Sequence, residues 1–260
     1  MTAVRQTRLF ILLIGLLVAA TPAAAAEPPR WETLALGEGV EMDLRVFPAD
    51  GDTVVLGLPC DQGTGSAESR AAERLAEAGV EVWMADLLGA HFLPVAPSSM
   101  RKLEGQEVAR VIQYVRKRTG AKRLYIVSGG YGAVPALRGA RAWQDQGHGP
   151  PAGAILFFPY LYAEEPEPGR KPPYLPVVRE TDLPVMVLQP ALSSGRLWLE
   201  RLQANLEAGG SRVQTRLLPG VRPFFYTSRD VNRAEIEMRE RLHELVLESI
   251  ETLRNREAEE

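Results

Sequence analysis

The densest chemical signal in the sequence is Ser128-Gly129-Gly130-Tyr131-Gly132, set between the apolar run Leu124-Tyr-Ile-Val and an alanine-rich helical stretch. A turn this rich in glycine lets amide N–H groups converge on one point, and a helix start adds partial positive charge there. Ser128 is a candidate nucleophile for acyl transfer, provided that a base reaches it. Cys60, the sole cysteine, is a second candidate if a helix start or a base lowers its pKa; its other reading is a small buried apolar residue. Asp61-Gln62-Gly63 follow it directly. Three histidines complete the set: His148 precedes a strand, His243 lies in the terminal helix, and His91 follows a strand's carboxyl end, where ligands of parallel sheets gather. So few histidines and cysteines leave little material for a metal site, and no cofactor motif is present.

The elements that must position these residues follow from periodicity. Trp31–Leu36 and Val40–Val46 read as two strands joined by Gly37-Glu38-Gly39, with Val40, Met42, Leu44 and Val46 alternating. Strands then alternate with helices. Strands are expected at Thr53–Pro59, Val80–Asp86, Leu124–Val127, Ala154–Phe158, Val185–Leu188 and Val213–Leu218. Helices are expected at 66–78, 100–119, 131–144, 197–208 and 232–254, several of them stopped by glycine. Such alternation requires a mainly parallel sheet with helices on both faces. Residues 163–176 carry five prolines among charged residues, which excludes helix and central strand and suggests a surface lid or loop.

Composition sets the wider limits. The chain has 260 residues, 45% of them apolar, with 33 acids against 30 bases, so it builds one ordinary core and does not suit nucleic acid. Residues 1–26 follow the secretory pattern: Arg5 and Arg8, an apolar run from Leu9 to Ala20, then Ala24-Ala25-Ala26. The run falls short of the roughly 20 residues of a membrane span. The expected destination is the bacterial periplasm or the exterior, with residues 27–260 as a single domain and no span after cleavage.

With these pieces in order, the sequence resembles the α/β-hydrolase superfamily. Ser128–Gly132 resembles its nucleophile elbow, small-x-nucleophile-x-small. Val54–Pro59 with Cys60–Gly63 resembles the strand and oxyanion loop before the first helix. Ala76–Gly89 resembles the family's strand ending in aspartate and glycine, and Leu217–Phe225 the stretch that carries the catalytic histidine. The likeness covers roughly residues 31–255. It implies an α/β fold with an N-terminal antiparallel hairpin, and it implies triad positions at Gly130 for the nucleophile, Pro223 for the histidine and near Ser193 for the acid. None of the three residues found there can do that work.

A degenerate member of the superfamily is therefore the expectation: a secreted, non-catalytic protein holding a small ligand, for instance an anionic one, or a periplasmic partner protein. Its binding residues would be Asp61, Gln62, Gly130, Tyr131 and Arg222, the last contributing a fork of donors. One alternative is a hydrolase of the ester or thioester class using an unusual group such as Ser128, Cys60 or His91. The other is a structural or assembly factor.

Overall fold

A computed structural model of the chain describes residues 27–258 apart from 38, 64, 121, 168 and 169. The expected secretory leader, residues 1–26, lies outside the described residues. The chain opens with β1 (Arg30–Gly37) and β2 (Val40–Phe47), then β3 (Thr53–Gly57), α1 (Ser66–Glu77), β4 (Val80–Ala85) and α2 (Leu87–Ala90). It continues through α3 (Pro97–Lys102), α4 (Gly105–Thr119), β5 (Arg123–Gly129), α5 (Ala133–Asp145), β6 (Gly153–Phe157) and α6 (Val177–Glu180). The last third holds β7 (Val185–Pro190), α7 (Leu199–Glu207), β8 (Val213–Leu218), α8 (Arg233–Glu240) and α9 (Leu242–Ala258).

The strands form one sheet in the order β1-β2-β4-β3-β5-β6-β7-β8. β1 pairs antiparallel with β2 and β2 with β4; every later pairing is parallel. Alternating side chains feed two cores. Leu124 and Ile126 of β5 join the core beneath α4 and α5, while Tyr125 joins the core beneath α1 and α9. Both layers are apolar, so β5 is buried on both sides, as a central parallel strand must be.

Two expected helices are broken. The stretch 100–119 divides because Leu103 is extended (ψ 128°) and the Arg138 guanidinium of α5 donates to the carbonyls of Arg101 and Leu103, capping α3 from outside. The terminal helix divides at Arg241, whose amide turns back to Met238 O at 3.2 Å. Among the described residues, no helix is long and apolar enough to cross a membrane.

The proline-rich segment folds back on itself. Tyr162 bridges Tyr174, Ala163 N donates to Pro173 O, and Leu175 N donates to Leu161 O. This excursion leaves the carboxyl rim of the sheet, where β5, β3 and β6 end, and carries Glu165 back over it.

Candidate active site

The turn after β5 is the centre of the rim. Gly130 lies in the left-handed region at φ +55°, where a side chain would strain the backbone, so the residue type matches the bend. The turn continues as a short 3-10 segment, Gly130–Gly132, before α5 begins. Opposite it, the chain leaving β3 makes a tight turn in which Gly63 N donates to Cys60 O at 3.0 Å. That turn pushes Asp61 against the elbow.

Asp61 Oδ1 accepts the Tyr131 amide N–H at 3.1 Å, and it would lie 2.5 Å from a Cβ built on Gly130. The carboxylate therefore occupies the space into which a side chain at the elbow would project. The Gln62 side chain approaches the other oxygen, Nε2 to Oδ2, at 3.5 Å. Asp61 is only 3% exposed, because aromatic rings roof it. Phe224 and Phe158 face the same point. Tyr160 stacks between Phe224 (6.1 Å between centroids) and Tyr131 (5.1 Å), and Arg101 lies 5.2 Å over the Tyr131 ring.

The Tyr131 hydroxyl donates to Glu165 Oε1 at 2.5 Å; burial first, then this carboxylate, push the phenol up to about 12. Tyr160 is likewise raised, by burial and then by the charges of Asp61 and Glu165. Phe158 and Phe224 both have positive φ, 37° and 60°, although neither is glycine. Such backbone strain persists only where surrounding structure enforces it, and it clusters at functional sites.

Of the residues singled out in the sequence, Asp61, Gln62, Gly130 and Tyr131 meet here. Arg222 does not: its guanidinium is held by Glu235 in two bonds of 2.7 Å, and that pairing holds the Glu235 carboxyl down to about 2. Ser128 is buried and donates to Leu58 O at 3.2 Å, against the first turn of α5. Cys60 is buried beside the site and ties its own turn, donating to Gly63 O and accepting from Gln62 N, both at 3.4 Å. Burial, followed by the Glu68 charge, pushes its thiol up to about 12, the wrong direction for a thiolate. His91 Nε2 meets Glu107 at 3.0 Å. Ser193 caps its own turn, donating to Pro190 O at 2.8 Å. Among the described residues, no three His, Cys, Asp or Glu side chains converge as metal ligands.

Sequence reasoning named Asp61 as a residue of the ligand-binding loop, not as the group that fills the elbow; it missed Tyr160, Phe158, Glu165 and Arg101 altogether. The one available signal was the cluster Phe-Phe-Pro-Tyr-Leu-Tyr that begins at the last residue of β6, too aromatic for an idle surface loop.

Eight strands in this order, with an antiparallel start and helices on both faces, make up the α/β-hydrolase fold. Solved proteins share it over most of their length. An esterase from Pyrobaculum calidifontis is 17% identical, with a TM-score of 0.62, 86% of this chain covered and 85% of that one. Thermogutta terrifontis esterase 2 is 17% identical at TM-score 0.58, over 88% and 96%. An α/β-hydrolase enzyme from the metagenome of Lake Arreo, Spain, is 15% identical at 0.63, over 90% and 84%. No protein-family model and no curated protein matches the sequence. These neighbours correct the expectation of a non-catalytic binding protein. Proteins sharing the fold are esterases, hydrolases and a lipase by name. The physical reason lies at the rim: the elbow amide expected to hold an anionic ligand is taken by the chain's own carboxylate, Asp61.

Proposed function

We propose that this chain is a hydrolase of the ester or thioester class whose working group is the Asp61 carboxylate. In this reading the usual triad is degenerate, with Gly130, Pro223 and Ser193 at its three positions, and the chemistry has moved to a residue delivered from the neighbouring loop. The observation that carries it is the seat of Asp61 Oδ1: 3.1 Å from the Tyr131 amide, in the space of an elbow side chain. Ser128 and Cys60 have no such seat, and among the described residues no histidine contact is seen for either.

The carboxylate acts on water. Asp61 takes a proton from a water molecule as the water oxygen bonds to the carbonyl carbon, and the carbonyl π electrons move to oxygen. The tetrahedral adduct then collapses, the bond to the alkoxide or thiolate breaks, and Asp61 returns the proton to the departing atom. The Tyr131 N–H fixes one carboxylate oxygen so that the other faces the reactants. The Gln62 amide, next to that second oxygen, supplies a donor for the developing oxyanion. General base catalysis by a positioned group contributes about 10²–10⁴-fold. The roof of Phe224 and Tyr160 must swing aside for substrate and then exclude bulk water. The same reading keeps the secretory leader, so the substrate is met in the periplasm or outside the cell.

The test is hydrolysis of p-nitrophenyl butyrate and of a butyryl thioester by the purified chain. Asp61→Asn should lower turnover by about 10²-fold or more, with Ser128→Ala and Cys60→Ala retaining it. Wild-type turnover no faster than that of Asp61→Asn, or loss of turnover in Ser128→Ala with the fold intact, would overturn the assignment.

A further inference from the structure

A cavity lies between the sheet and the helices α1 and α9, reaching Ser128 and Gly129 at the end of β5. It has a volume of about 90 Å³ and opens to solvent on one side. Its walls are apolar: Ala71 and Ala72 from α1, Val127 and Met84 from the sheet, Leu242 and Val246 from α9. Val127, Met84 and Gly57 retain accessible surface although they sit beneath α1, which is uncommon for the middle of a central sheet. Three polar residues are part of this lining: Glu68, Ser128 and Tyr226. Glu68 Oε2 accepts the Gly65 N–H at 2.5 Å, and the buried Tyr226 side chain meets Cys60.

We infer that this cavity is a binding site for a compact, neutral molecule with an apolar body and one hydroxyl, such as a phenol or a short cyclic alcohol. Apolar pockets with a few converging polar groups are the usual form of small-ligand sites. An apolar cavity of about 150 Å³ suffices for benzene, and the open side here accommodates the remainder of a ring. A hydroxyl both donates and accepts, so it matches Glu68 whether that carboxyl is protonated or not. Burial raises the Glu68 carboxyl to about 7, so both forms coexist at neutral pH. An anionic ligand would be repelled by the Glu68 carboxylate and would leave water for apolar walls. The cavity borders the elbow through Pro59, Ser128 and Gly129, but Asp61 is not among its lining residues, and its occupancy does not depend on hydrolysis.

Phenol and benzoate, measured by isothermal titration and by thermal shift, test this directly. Phenol should bind saturably to the full chain, and benzoate at least tenfold more weakly. Ala71→Leu, which fills the cavity from a half-buried position, should weaken phenol at least tenfold while keeping or raising the melting temperature. Asp61→Asn should bind phenol as the unmodified chain does, so failure of the hydrolase reading and failure of this one are distinguishable. Absence of saturable phenol binding, equal affinity for benzoate, or undiminished affinity in a folded Ala71→Leu would overturn the inference.

Discussion

Glu68 ought to make the stability of this chain fall as pH rises through the neutral range. Its carboxyl sits between α1 and the sheet, and burial raises its pKa from 4.5 to about 7 against the opposing Gly65 N–H. An acid with a raised pKa is favoured in its protonated form by the native state. Between pH 4.5 and about 7 the folded chain holds a proton that the unfolded chain has released. Stability is therefore greatest below that window and lost across it, the loss being complete above about 7. At about 1.4 kcal/mol per unit the shift corresponds to about 3 kcal/mol. Glu68 is only partly buried and retains some contact with solvent, which reduces the figure to about 2 kcal/mol. Glu68→Gln keeps an oxygen for the Gly65 amide and removes the titration. It should match the unmodified chain at pH 5 and exceed it at pH 8.5 by about 2 kcal/mol, a rise of about 4–8 °C in Tm for a domain of this size. Urea unfolding of both proteins at the two pH values reads the difference. A gap of the same size at both would show that Glu68 is solvated as in an ordinary surface residue.

Two further substitutions probe the elbow. Gly130→Ala places a Cβ at φ +55°, against Asp61 Oδ1 and 3.2 Å from Phe224 Cε1, so it should cost about 1–3 kcal/mol and abolish turnover by displacing the carboxylate; unchanged melting and unchanged turnover would mean that Asp61 does not occupy that space. Phe224→Ala opens the roof over Asp61, so it should raise kcat/KM for bulky esters severalfold while lowering stability by about 1–3 kcal/mol; equal rates for small and bulky esters, both as before, would remove Phe224 from the entry path.

The fold was legible because its determinants are local. Alternation in Val40, Met42, Leu44 and Val46, and the continuous apolar run from Leu124 to Val127, each demand one kind of strand, and the order of elements then admits few topologies. Where a distant side chain intervenes, local reading fails: the break before Gly105 depends on Arg138, 33 or more residues away, capping the end of α3.

The candidate site divides along the same line. That Gly130 forms a left-handed bend follows from residue type and position alone. What fills the bend does not, because Asp61 comes from 69 residues earlier and reaches it only through the Cys60–Gly63 turn. Asp61 and Gly130 constrain each other, since any side chain at the elbow would collide with that carboxylate, and a carboxylate in that place requires an elbow without one. The space beside Gly130, which a position-by-position reading of the sequence leaves empty, is in three dimensions taken by a carboxylate from the turn after β3.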